Sequence, residues 1–250
     1  MPPEDEFAKE LAKQLPIKQI YKDAASPAAK QLGQIGEDIL KTLQLALGAP
    51  VQYLAAVQDR YRRFLDKSVR RVSEQHRISP APQILGPVLE GIRYEPEDTP
   101  IDEMFSQLLS RSMDSERVHE AHPAYPILIK QLSADEARIL AALKDQQFDL
   151  VYTRDFDRVA NLFYGMHKVE SDSLPRDGLI FPNNIPMYFN HLDKLGLAGC
   201  FQQGNQEPLF SDSEQRVQIG VRVRCKYMLT DFGKQFVHAC IESDPLRVQR

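Results

Sequence analysis

Cysteine is scarce in this chain. Cys200, Cys225 and Cys240 are the only three in 250 residues, and no two stand in Cys-x-x-Cys spacing. An odd count without metal-ligand spacing favours a reducing cytosol over a disulfide framework. Long apolar runs are missing as well, so no ordinary transmembrane helix is expected. The acidic opening Met1-Pro2-Pro3-Glu4-Asp5-Glu6 lacks the apolar stretch of a secretory signal. There is no basic excess: the net charge is −4, and on either side of Leu132 acidic residues outnumber basic ones by two. No global attraction to nucleic acid follows from such a balance. Nucleophile-elbow, P-loop and dinucleotide-binding glycine signatures are all absent. No internal repeat or low-complexity tract is present, and no cofactor, metal or catalytic residue is expected.

What the chain does have is 42% apolar residues, enough for a core, arranged mostly at helical spacing. Residues 1–19 read as a mobile arm with one short helical stretch, Phe7 to Leu15, ended by Pro16. Ser26-Pro27 is a capped helix start. Apolar residues then recur every three or four positions from Leu32 to Val72. Pro50 interrupts them because it lacks an N–H and crowds the preceding turn. The expectation is two helices, about 27–47 and 50–76. Pro80, Pro82 and Pro87 mark a connector, followed by a helix over about 84–94. Thr99-Pro100 opens another helix, with Asp102 placed to reach back to the cap. His122-Pro123 closes a loop, where His122 would fix the turn by hydrogen bonding, and Tyr125 to Leu132 is a short helix.

Ser133 and Glu136 form a capping box that opens a helix running to about Lys144. Phe156 to Tyr164 and Pro186 to Lys194 read as helices. Leu197 to Gln202 is extended, and Gly204 to Gln215 is a polar loop. Val217 to Tyr227 alternates apolar and polar residues as a strand does. A last helix runs from about Leu229 to Ile241. The fold expected is mainly α: a helical region over 20–132, then a winged-helix-like α+β domain with a β-hairpin over 133–250. The phrases Leu192-Asp193-Lys194-Leu195-Gly196-Leu197 and Leu229-Thr230-Asp231-Phe232-Gly233 resemble those flanking the wing of winged helix-turn-helix proteins.

Four clusters invite a functional reading. The uncharged run Thr42 to Gln58 is either a membrane-active hairpin or a buried helix pair; about 25 Å of helix is short for a bilayer. The helix after it carries Arg60, Arg62, Arg63, Lys67, Arg70, Arg71 and Arg77. Of these, Arg60, Arg63, Lys67, Arg70 and Arg71 are candidates for contact with anionic lipid or phosphate, or else line a solvated face. Glu116 and His119 have the spacing of half a di-iron bundle site, but no second Glu-x-x-His completes it, so Glu116, His119, Glu120 and His122 read as structural. Arg216, Arg222, Arg224 and Lys226 could set a wing strand against phosphate. The helix that would read bases, Asn184 to Lys194, offers no arginine for guanine.

One resemblance narrows the function. The phrases Ile20-Tyr21-Lys22-Asp23, Pro27-Ala28-Ala29-Lys30, Pro82 to Glu90, Met104 to Asp114, Ala121-His122-Pro123 and Gln131 to Ala137 resemble the Abi-alpha, or abortive infection alpha, family of bacterial proteins. The likeness spans about Ile20 to Leu143. It implies a part in phage defence and brings no established chemistry. The function expected is a non-enzymatic abortive-infection component in the cytoplasm, acting through a protein partner or at the inner face of the membrane. Pro50, His122, Pro123, Ser133 and Glu136 would be structural. A DNA-binding winged-helix regulator is the alternative, and self-association stays open.

Overall fold

The computed structural model describes residues 54–212 and 216–241. The expected arm at 1–19, the helix start at Ser26-Pro27, the helix at 27–47, Pro50 and most of the uncharged run lie outside the described residues. The chain divides into two compact units. One comprises 1–131 with 239–250, and the other runs from Leu132 to His238.

In the first unit, α1 (Leu54–Arg70) buries Tyr61 and Phe64 at helical spacing. Ser68 is also buried there; its hydroxyl donates to the Phe64 carbonyl at 2.9 Å and lies 3.0 Å from the Ser106 hydroxyl. α2 (Pro82–Ile92) starts on Pro82, which has no N–H to lose in a first turn, and buries Ile84, Leu85, Val88, Leu89 and Ile92. α3 (Pro100–Ser112) is the centre of this unit: ten of its thirteen residues are buried. Its serines can be buried because Ser110 and Ser112 each donate to a backbone carbonyl three residues earlier, at 2.7 Å. Thr99 caps α3 by accepting from the Asp102 N–H at 3.1 Å. A short helix, α4 (Tyr125–Ile129), completes the unit's helices among the described residues.

The second unit opens on α5 (Ala134–Asp145), with both halves of the Ser133–Glu136 capping box formed. Two long strands follow, β1 (Phe148–Asp157) and β2 (Leu162–Asp172). Next come α6 (Ile185–Lys194), β3 (Ala198–Gln202), β4 (Glu207–Phe210), β5 (Gln218–Leu229) and α7 (Asp231–Cys240), whose last two residues group with the first unit. The strands make one antiparallel sheet in the order β2-β1-β5-β3, with β4 also paired to β5. β5 is the axis of the sheet. Val221, Val223, Cys225, Tyr227 and Leu229 alternate along its buried side, and Phe189 of α6 stacks on Tyr227 with ring centroids 4.2 Å apart.

This sheet corrects the expected fold class. The chain is α+β, not mainly α, because five strands form where one hairpin was expected. The segment read as a helix, Phe156 to Tyr164, is the turn of the β1–β2 hairpin with the strand ends on either side. Its chemistry is that of a turn: the Asp157 carboxylate accepts from the N–H groups of Val159 and Ala160 at 2.7 and 3.0 Å, and Asn161 adopts a φ of 52°. The stretch read as the loop Gly204 to Gln215 contains β4.

The two phrases quoted for the wing have a direct structural explanation. α6 ends in a Schellman motif: Gly196 takes a φ of 71°, and the Leu197 N–H reaches back to the Leu192 carbonyl at 2.8 Å. The Leu197 carbonyl then accepts the Thr230 N–H at 3.0 Å, while Thr230 caps α7 by accepting from Gly233 at 2.8 Å. Gly233 consequently lies directly on Leu197. A β-carbon there would stand 1.8 Å from the Leu197 carbonyl oxygen. Gly233→Ala is expected to destabilise the protein by about 3 kcal/mol through overpacking, read as a lower midpoint in urea unfolding; a midpoint equal to wild type would show that α7 can back away.

Candidate functional site

The basic side of α1 faces an acidic segment, 95–103, at the start of α3. Asp102 is the hub. Its side chain is only 2% exposed and makes an ion pair with Arg60, itself 13% exposed. It also takes Lys67 at 3.1 Å and the Asp98 N–H at 3.3 Å. Lys67 reaches Glu103 at 3.0 Å, Arg71 meets Glu103 at 2.5 Å and Arg63 meets Glu97 at 2.5 Å. Burial disfavours the Lys67 ammonium, but the hydrogen bonds that it donates to Glu103 and Asp102 outweigh it and raise its pKa. Arg63 holds the Glu97 carboxyl below its ordinary range. Of the five arginines and lysines proposed for lipid or phosphate, four are thus bound to carboxylates. Arg70 is exposed and joins Arg63, Asp66, Lys67 and Arg71 around an open recess on α1. No helix among the described residues is long and apolar enough to cross a membrane.

The strand arginines are similarly engaged. Arg222 grips Glu170 of β2 at 2.6 and 3.0 Å and lies 3.4 Å from Glu207 of β4. Arg224 meets Glu207 at 2.9 Å. Both glutamates are held below their usual range by these arginines. Arg216 lies over the Phe210 ring at 5.7 Å. Lys226 is half-buried and registers opposite Asp149 of β1 and Phe201 of β3. A phosphate approaching Arg222 and Arg224 would have to displace carboxylates from them.

The acid–imidazole group at 116–122 divides. Glu120 accepts from Arg117 at 2.9 and 3.0 Å and lies 3.3 Å from Arg111. His119 is exposed in a 3₁₀ turn, Val118–Glu120. The His122 Nδ1 accepts the Ala124 N–H at 3.1 Å and its ring sits 5.5 Å from Tyr125, with Pro123 exposed between them. Glu116 turns instead toward His76, with 3.6 Å between Oε1 and Nε2. The chain separation between those two residues leaves no signal in the sequence.

Two adjacent buried carboxylates lie at the start of α5. Asp135 accepts from the N–H groups of Ile180 and Phe181, both at 2.8 Å, from the Tyr188 hydroxyl at 2.9 Å and from Arg138 at 3.0 Å. Burial pushes its carboxyl up, but these hydrogen bonds win and hold it below the usual range. Glu136 closes the capping box on Ser133 with one oxygen and meets His191 Nδ1 at 2.6 Å with the other. Neighbouring residues of α5 therefore tie the 180–181 loop and α6 to one helix end. The thiols are quiet: desolvation, with Cys225 beside it, pushes the Cys200 sulfur up to about 12 although the residue as a whole is exposed, and burial raises Cys240 well above its ordinary value.

The exposed surface of the sheet is the feature least visible beforehand. β2 is an edge strand of eleven residues. Leu162, Tyr164 and Met166, two positions apart, are 58%, 55% and 48% exposed, and Val159 at the hairpin turn is fully exposed.

The abortive infection alpha family matches residues 53–240, well over half of the chain. This α+β protein belongs to that family, whose name points to phage defence by abortive infection. The match runs through the sheet to the end of α7, beyond the limit near Leu143 that the quoted phrases suggested. No curated protein matches the chain, and no solved structure does, so the winged-helix resemblance gains no structural counterpart.

Two stability predictions follow from the buried carboxylates. Asp102→Ala strands Arg60 without its carboxylate and is expected to cost about 3 kcal/mol in denaturant unfolding; a loss below about 0.5 kcal/mol would mean that Arg60 simply turns to solvent. Asp135→Asn is expected to cost about 2 kcal/mol at pH 7. The folded pKa of Asp135 is depressed, so its contribution is complete above the unfolded value near 3.8 and fades as pH falls through the folded one. The gap between wild type and Asp135→Asn should accordingly narrow below about pH 4; unfolding curves at pH 7, 4 and 2.5 would show a constant gap if the carboxylate's charge were irrelevant.

Proposed function

We propose that this chain is a non-enzymatic abortive-infection protein that works in the cytoplasm by pairing the β2 edge with an extended segment of a protein partner. The observation that carries this reading is the edge itself. An outermost strand offers a row of backbone N–H and C=O groups to another strand, and natural proteins usually blunt such edges. Here the edge is long, and it adds apolar side chains at the two-residue spacing that a docking strand reads. Lys168, exposed further along β2, would help set direction and register.

Three further observations support the non-enzymatic part. The buried carboxylates Asp102, Asp135 and Glu136 are each spent on holding elements together. Two of the thiols are pushed well away from ionisation at neutral pH. The sheet arginines suited to stabilising a developing negative charge, Arg222 and Arg224, are already paired. Protein contact is favoured over lipid because the cations on α1 face the acids of 95–103, leaving little free charge for an anionic membrane.

The test is phage challenge of a bacterial host carrying the full chain. Leu162→Glu with Met166→Glu changes only exposed positions and should leave the thermal midpoint within about 2 °C, while phage protection falls at least tenfold. Undiminished protection by the folded double variant would remove β2 from the mechanism. Loss of protection accompanied by loss of binding to anionic vesicles would move the action to lipid.

A further inference from the structure

His76 was not among the residues that the sequence singled out, yet its neighbours make it the most suggestive group in the first unit. It ends the 3₁₀ turn Glu74–His76 in the connector after α1. Asp114 and Glu116 follow directly after α3. A short antiparallel bridge, Arg77 opposite Asp114, brings the two segments side by side. Its hydrogen bonds run from the Ile78 N–H to the Met113 carbonyl at 2.9 Å and from the Ser115 N–H to the His76 carbonyl at 2.8 Å. The backbone therefore brings the three residues together before any ligand arrives, a condition that favours a binding site.

We propose that His76, Asp114 and Glu116 bind a divalent transition-metal ion, with Zn²⁺ the best match. One ligand atom from each residue lies within 4.8 Å of the other two. Zinc bonds of about 2.0–2.1 Å in tetrahedral geometry place ligand atoms about 3.3–3.4 Å apart. The His76 Nε2 to Glu116 Oε1 separation, 3.6 Å, is already within a few tenths of that spacing. One Asp114 oxygen, Oδ1, accepts the Glu116 N–H at 3.0 Å, which holds this carboxylate beside Glu116 and leaves its second oxygen to offer to an ion.

Charge points the same way. The basic residues nearest in sequence are committed elsewhere: Arg77 to the Val72 carbonyl and Glu74, Arg111 and Arg117 to Glu120. Among the described residues, neither Asp114 nor Glu116 has a lysine or arginine within ion-pair distance. Two carboxylates drawn together beside an imidazole, without a cationic side chain to offset them, repel each other. A divalent cation removes that repulsion. Imidazole with two carboxylates suits zinc or a similar transition metal and not magnesium or calcium, which take oxygen ligands. His76 and Asp114 are half-buried and Glu116 is 69% exposed, so the site opens to solvent on one side and keeps a coordination position for water. Bound there, the ion would clamp the α1–α2 connector to the segment leaving α3.

The experiment is calorimetric titration of ZnCl₂ into the full-length, tag-free chain after metal removal, with thermal unfolding as a second readout. One zinc per chain and a raised thermal midpoint are expected. His76→Ala and the exposed substitution Glu116→Gln should each weaken binding roughly tenfold or more, whereas Cys200→Ser, at an exposed thiol outside the cluster, should leave it unchanged. Absence of zinc binding, or binding that neither His76→Ala nor Glu116→Gln alters, would overturn the proposal. Equal binding of Mg²⁺ would overturn the choice of metal. Glu116→Gln guards against a folding artefact, because its side chain faces solvent and the variant should unfold like wild type without metal.

Discussion

The buried carboxylate of Asp102 is the constraint on which the first unit depends. A charge placed almost wholly out of water at the start of the central helix must be matched, and Arg60 and Lys67 of α1 supply the match. That requirement sets which side of α1 faces α3, and Tyr61, Phe64 and Ser68 then fall against the core. Four of the five cations singled out on or beside this helix are paired with carboxylates, so most of their charge is met within the first unit.

The second unit repeats this economy with different partners. Asp135 and Glu136 adjoin at one helix end, yet each serves separate elements: Asp135 the 180–181 loop and Tyr188, Glu136 the cap and His191. On the sheet, Arg222 and Arg224 bridge three strands through Glu170 and Glu207. The charges of these two clusters are thus spent on joining elements of the unit, while Leu162, Tyr164 and Met166 of β2 stand exposed.

Much of the helical architecture was legible because its signals are local. Thr99-Pro100 and Ser133 with Glu136 mark helix starts within four residues, and both form as their chemistry requires. The alternation along β5 was legible because one face of that strand is buried. β2 gave no such sign. Nearly all of its residues are exposed, so burial imposes no two-residue pattern, and the aromatic cluster at its start passes for a helix. The basic clusters were visible, but their partners were not: Arg60 lies far along the chain from Asp102, and Arg222 farther still from Glu170. His76 and Glu116 meet through a backbone bridge that no periodicity announces.

The division of the chain carries a consequence for how the molecule is made. Ala239 and Cys240 at the end of α7 group with the first unit, although Leu132 to His238 intervene, and both are buried. A polypeptide synthesised from its N-terminus lays down α1 to α4 before the whole of Leu132 to His238, and Ala239 and Cys240 only after it. The unit begun first is thus completed only after the sheet-bearing unit has been synthesised, and that unit, continuous in one stretch, is free to mature before it.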